Sequence, residues 1–248
     1  MILNLYKNIG ETPLERINRF RKENLIYKGE KMTYAGRLDP IAEGLLLVLV
    51  GDAVHEKEKY LKFDKEYEFE LIFGVRTDTY DVLGLIQNIS NLEEAQIDKE
   101  KILSFLKTKT KKFLQKYPNF SSKTVGGIPL WKRTKDANID NENIPEKLVE
   151  IYKIDFLVME QISSDILLKR VLNVVSSVNG DFRQAEITKS WIENTKNIEK
   201  FFIAKMKMSA SSGVYVRSFI NELGEFIGVG AVTLSIKRTR VGEFRIVT

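Results

Sequence analysis

The chain is 248 residues long and 43% apolar, enough to bury a sizeable core as one large domain or two modest ones. It contains no cysteine and a single histidine, His55, so disulfides, thiolate nucleophiles, iron-sulfur clusters and His- or Cys-rich metal sites are excluded. The 39 Lys and Arg against 34 Asp and Glu give a formal charge of +5, compatible with a nucleic-acid partner without demanding one.

In TPLERINRF, Thr12 is placed to cap a helix, Pro13 suits its first position and Glu15 completes a capping box, with Leu14, Ile17 and Phe20 on the apolar side. The turn-rich KGEKMTYAGRLDP leads into an aliphatic run, residues 45–50, short enough for a strand covered on both faces. GDAVHEKEKYL then reads as the start of an amphipathic helix, so His55 is expected on its first turn rather than in catalysis. In EYEFELIF, residues 66–73, strict alternation puts Tyr67, Phe69, Leu71 and Phe73 on one face and Glu66, Glu68 and Glu70 on the other. A Gly- and Asp-rich loop, GVRTDTYDVLG, follows.

Residues 101–136 carry ten Lys or Arg and one acidic residue, interleaved with Phe113, Tyr117, Phe120 and Trp131. Cations for phosphates beside rings for bases suit single-stranded RNA, and a solvated helix face followed by a strand fits the same pattern. Further strands are expected over 149–158 and 202–208, with two helices between them, SSDILLKRVLNVVSSV and DFRQAEITKSWIENTKN, the second opened by an Asp181-to-Gln184 capping box. In VYVRSFINELGEFIG, Val216, Phe219, Ile220, Leu223 and Ile227 form a buried helical face, Gly228 ends it, and Arg217 lies in the first turn off that face. Strands and helices mix without regular alternation, which predicts an α+β fold in one domain, residues 1–248. No run approaches the roughly 18 apolar residues of a membrane span. MILNLYKNIGETP lacks the order of an export signal, so a cytoplasmic protein without membrane contact is expected.

Asp39 is the most informative acidic residue. Pro40 keeps it out of helical backbone, and the aliphatic strand behind it makes a dry floor on which a carboxylate needs a cation or hydrogen bonds to stay charged. Arg37 and Arg217 are the candidate cations. Locally, the same aspartate also fits a plain turn cap.

YAGRLDPIAEGLLLVLVGDA resembles the Gly-x-Leu-Asp-Pro active-site motif of the TruB-type tRNA pseudouridine synthases. Four further blocks are similar in the same order: KEYEFELIFGVRTDTYDVLG, QKYPNFSSKTVGGIPLWKRTKD, SSGVYVRSFINELGEFIGVGA and LSIKRTRVGEF, so the likeness runs from about residue 5 to residue 244. It implies the pseudouridine synthase fold, α+β with a mixed, mostly antiparallel sheet, flanking helices and an RNA-binding insert at about 98–136. It also implies cofactor-free, metal-free isomerisation of a uridine in the TΨC loop (tRNA position 55), with the tRNA T-arm as partner and a monomeric enzyme.

Asp39 takes the role of the essential aspartate, Arg217 of the arginine paired with it, and Tyr67 of the tyrosine that stacks on the extruded base. Tyr215, Asp81 and Ile236 match pocket residues. Lys123, in the segment similar to Phe-Ser-Ala-Lys, joins Tyr34 and Arg37 among the expected substrate-binding residues. Tyr34 stands where the family usually has a histidine, and Arg37 where it has a small residue. A helical insertion at about 163–200 exceeds the family core, and the end of the chain just after Phe244 leads us to expect no C-terminal PUA domain. Two alternatives accompany this reading: an RsuA-like synthase acting on ribosomal RNA, and a non-catalytic RNA-binding or RNA-folding module on the same scaffold.

Overall fold

The computed structural model describes residues 1–135 and 144–246. Asp136, the end of the expected basic-aromatic insert, lies outside the described residues. Strand β1, Ile2–Lys7, leads to helix α1, Pro13–Glu23, which opens as its sequence dictates: Glu15 N donates to Thr12 Oγ1 at 3.2 Å and Thr12 N to Glu15 Oε2 at 2.7 Å. Ile17 is buried in this helix, but Leu14 is 59% exposed, contrary to the expected apolar side.

After β2, Met32–Tyr34, comes β3, Ala42–Val50, whose aliphatic residues are nearly all sealed from solvent. The two-residue period of the strand divides them. Leu45, Leu47 and Leu49 pack with Tyr60 and Val241, whereas Leu46, Val48 and Val50 pack with Leu5 and Ile17. His55 lies in a 3-10 turn, Gly51–Glu56, just before α2, Lys57–Leu61.

β4, Lys65–Phe73, is followed by a small hairpin of β5, Val75–Thr77, and β6, Ile86–Ile89. The basic-aromatic segment becomes α3, Lys99–Lys109, β7, Lys112–Lys116, a short hairpin of β8, Thr124–Val125, and β9, Ile128–Pro129, and α4, Leu130–Lys135. Lys109 is not free for RNA: its ammonium pairs with Glu222 and lies 4.4 Å from the Phe113 ring centroid, fastening this segment to the last described helix, Val216–Ile227. β10, Glu146–Ser163, is longer than its expected span; α5, Ser164–Ser177, and α6, Gln184–Thr195, precede β11, Lys200–Ala210. The expected Asp181-to-Gln184 capping box does not form; Arg183 stands at the cap position with φ 60° and no side-chain capping bond. α7, Val216–Ile227, ends at Gly228, and β12, Ala231–Val241, with β13, Phe244–Arg245, closes the described chain.

The main sheet runs β1-β3-β12-β4-β11-β10-β7, with β2 added to β3 and β13 to β12. Among the described strands β3 and β12 form its one parallel pair, and the rest pair antiparallel. Gly44 permits that contact, because a Cβ there would lie 2.4 Å from the Arg238 carbonyl oxygen. α7 covers one face, its Phe219 ring edge-on to Phe69 at 6.3 Å. Arg170 of α5 pairs with Glu70, which alternation places on the other face. The start of β3, the start of β4, the end of β11 and the second half of β12 thus converge beside the first turn of α7. No helix among the described residues is long and apolar enough to cross a membrane.

Candidate active site

The turn that carries Asp39 is pinned on both sides. Gly10 N donates to the Pro40 carbonyl at 2.8 Å and Ala42 N to the Asp39 carbonyl at 3.0 Å. From β12, Arg238 reaches under the turn: Nη2 donates to Gly36 O at 3.1 Å, Nη1 to Arg37 O at 3.3 Å and Nε to Leu45 O at 2.8 Å. Lys7, fully buried, adds a bond from Nζ to Ala42 O; burial pushes its pKa down to about 8. With Leu38 sunk in the core, the Asp39 carboxylate is left standing over the end of the sheet, its side chain 27% exposed.

Arg217 comes to meet it. The Gln115 amide accepts from Tyr215 N at 2.8 Å and donates to Tyr215 O at 3.1 Å, so one side chain fixes the residue that opens α7. Although off the helix's apolar face, Arg217 is only 3% exposed, because the loops around Thr79 and Phe120 close over it. Nε and Nη2 both contact Asp39 Oδ2, at 2.9 and 2.8 Å; Nη1 donates to Thr79 O at 2.8 Å and Nη2 to Phe120 O at 3.2 Å. Burial disfavours its charge, but Asp39 and Asp81 outweigh burial and its pKa is raised. The guanidinium therefore stays charged and aims the carboxylate.

Asp81 lies 3.5 Å from Arg217 Nε and is almost sealed from solvent. Its Oδ1 accepts from Thr79 Oγ1 at 2.7 Å and Leu83 N at 3.0 Å. Burial nevertheless dominates and pushes its pKa from 3.8 up to about 6, with Arg217 and Thr79 opposing, since Arg217 gives its closest contacts to Asp39. A carboxyl whose folded pKa exceeds its unfolded value binds its proton more tightly when folded, so its favourable contribution is present at low pH and lost as pH rises through 6. We expect wild-type protein to lose about 2–3 kcal/mol of unfolding free energy relative to Asp81→Asn between pH 4 and 7, read from urea midpoints. A difference that stays flat with pH would show that Asp81 ionises without cost.

Two cavities flank the Asp39–Arg217 pair. One, of about 490 Å³, is lined by Asp39, Tyr67, Tyr215, Ile236 and Arg238 among others. Tyr67 sits opposite Arg238 of β12 and Met208 of β11, and burial raises the pKa of its hydroxyl. Tyr215 is edge-on to Tyr117 at 5.4 Å, and its hydroxyl is likewise raised by burial. Lys65 also lines this cavity, its pKa pushed down to about 7 by burial. The other cavity, of about 420 Å³, is lined by Asp39, Asp81, Arg217, Phe120, Trp131 and Phe182 among others, and exposed Arg37 borders both.

Of the expected site residues, Asp39, Tyr67, Arg217, Arg37, Asp81, Tyr215 and Ile236 are thus brought together. Two lie apart from both cavity linings. Tyr34, in β2, packs with Ile17 and Val48, the Lys57 ammonium 5.5 Å from its ring centroid. Lys123 is exposed, its ammonium 5.3 Å from the Tyr117 ring centroid. Arg238 was missed by the sequence reading, though a signal existed: in LSIKRTRV it shares the inward register of Ile236, and a charge in that register needs a buried partner.

A mixed, mostly antiparallel sheet with helices against its faces and a paired Asp and Arg at one end is the pseudouridine synthase fold, and solved structures agree. The chain matches a component of an H/ACA RNP bound to a substrate RNA containing 2'-deoxyuridine with a TM-score of 0.57, and a component of a Cbf5-Nop10-Gar1 complex with 0.59. Both are 19% identical over 98% of this chain, which spans 48% and 49% of theirs. Residues 24–172 match the N-terminal domain of the TruB family of pseudouridylate synthases, and the chain belongs to that family. It is 29% identical to tRNA pseudouridine synthase B of Blochmanniella floridana over 98% of its length and 76% of that protein, and 29% identical to that of Thermosipho melanesiensis over 98% and 64%.

Proposed function

We propose that this protein isomerises a uridine in the TΨC loop of tRNA to pseudouridine, with Asp39 as the essential carboxylate. The observation that carries the reading is the Asp39–Arg217 pair, joined at 2.8 Å and set in one cavity with Tyr67, Tyr215 and Ile236. A binding module has no need of that combination. The relatives named tRNA pseudouridine synthase B supply the substrate class. The target uridine leaves the RNA stack to enter the cavity. Asp39 attacks the ribose C1' or removes the C2' proton to form a glycal, and in either case the bond from C1' to N1 of uracil breaks. The ring turns and C5 bonds to C1', which breaks the Asp39–C1' bond on the first path or returns the proton from Asp39 to C2' on the second; the C5 proton is lost while N1 gains one, so product and substrate are isomers. Tyr67 provides a stacking surface beside the ring, worth about 1–3 kcal/mol per base and enough to offset much of the cost of extrusion. The reading takes the protein as a cytoplasmic monomer acting on the T-arm.

The test is tritium release from C5-labelled uridine, followed by mapping of the modified base on tRNA and on ribosomal RNA fragments. Release from tRNA with pseudouridine in the TΨC loop is the expected result. Modification confined to ribosomal RNA would move the reading to an RsuA-like activity, and a gel shift without release would leave an RNA-binding module.

A further inference from the structure

β10 and β11 pair antiparallel up to Ser163 and Lys200, ends that a tight turn could join. Residues 164–199 stand there instead, and they are built into the body of the protein. Leu167, Val171, Val175, Ile187 and Trp191 are each at most 2% exposed within the main core. The tip of this hairpin, between α5 and α6, reaches the candidate active site. The Ser177 carbonyl oxygen approaches so closely that a Cβ on Gly10 would meet it at 2.2 Å, and Gly10 N is the group that holds Pro40 beside Asp39. Arg183 Nη1 contacts Asp78 Oδ2 at 2.7 Å, and its guanidinium stands 5.0 Å from the centroid of Phe120, whose carbonyl accepts from Arg217. Arg183 does this from left-handed backbone, φ 60°, a conformation that a residue with a Cβ adopts only when its surroundings hold it there.

The consequence is a cleft with two ring systems left to solvent. Phe182 at the tip is 38% exposed and Trp131 is 42% exposed, and both line the cavity that contains Asp39. In the same lining, Ser121 is 3% exposed and its Oγ has no hydrogen-bond partner among the described residues. Aromatic surface beside an unmet hydroxyl fits a flat ring with polar edges. The geometry points to a second base subsite: Phe182, held in place by Arg183, stacks on the nucleobase flanking the extruded uridine, and Ser121 Oγ meets that base's polar edge. This rests on the RNA-modifying reading above, and it assigns the inserted hairpin to substrate recognition.

The test compares wild type, Phe182→Ala and Phe182→Trp on a T-arm stem-loop and on the same RNA with either nucleotide flanking the target uridine made abasic. Phe182→Ala is expected to lower kcat/KM about 5- to 150-fold on the intact RNA, and Phe182→Trp to restore it. At one flanking position, base removal costs wild type a similar factor and costs Phe182→Ala nothing, a coupling that a merely structural role would not produce. Equal kcat/KM for wild type and Phe182→Ala, or a base-removal cost that is the same in both, overturns the subsite. Absence of turnover by wild type would instead overturn the catalytic reading, and the same comparisons made on RNA affinity would still decide the subsite.

Discussion

Asp39→Asn is expected to lower turnover on the order of 10⁴-fold or more, with RNA binding retained. The amide keeps the shape of the carboxylate but has neither the charge to trap the sugar nor the basicity to take its proton. RNA affinity rests mainly on phosphate contacts made by Lys and Arg, which this change leaves alone. The fold is also expected to survive. Arg217 keeps its bonds to the Thr79 and Phe120 carbonyls and still faces Asp81 at 3.5 Å. Asp81 then becomes the sole carboxylate among the described residues within contact of that guanidinium, and its pKa is drawn down from about 6 toward the ordinary range. Single-turnover tritium release gives the rate, and RNA anisotropy together with urea unfolding verifies binding and fold. Undiminished product from this variant would remove Asp39 from the chemistry.

The elements that were legible in the sequence are those whose cause is local. The Thr12–Glu15 box needs residues three apart, β3 needs six consecutive aliphatic residues, and α7 needs apolar side chains at helical spacing with a glycine to stop it. What could not be read is set by contacts distant in sequence. Gln184 does not close a box with Asp181 because its Oε1 accepts from Phe182 N at 3.0 Å while its Nε2 donates to the Val178 and Gly180 carbonyls, and Asp78, 105 residues upstream, pairs with Arg183. β10 extends beyond its expected span because irregularities at 151–153 and 156–158 break the two-residue period that a strand reading follows. Leu14 keeps helical spacing with Ile17 but stays largely exposed, so spacing alone overstates the buried side of α1. The Lys109–Glu222 pair spans 113 residues, and with it one cation of the basic segment turns from RNA toward the protein. At the site itself, family resemblance supplied Asp39, Tyr67 and Arg217, whereas the support beneath them, Arg238 above all, is brought into place by the register of β12 against β4.

Arg217→Ala is expected to remove turnover as severely as any change at the site, and to destabilise the protein by about 3–5 kcal/mol. The stability cost follows from what the side chain satisfies: removing it strips partners from Asp39, Asp81 and two loop carbonyls in a region closed to water. RNA binding at a temperature where the variant remains folded is expected to stay near wild type, because the guanidinium faces carboxylates rather than solvent. Arg217→Lys restores the charge but not the reach, since one ammonium cannot serve Asp39, Thr79 and Phe120 together, so it recovers part of the stability and little of the rate. Urea unfolding of the single and double variants separates the pair from its surroundings: with Arg217 gone, Asp39→Asn relieves an unpaired charge and costs less than it does in wild type. Identical costs in the two backgrounds, or wild-type turnover by Arg217→Ala, would mean that the contact at 2.8 Å neither holds the turn nor aims the carboxylate.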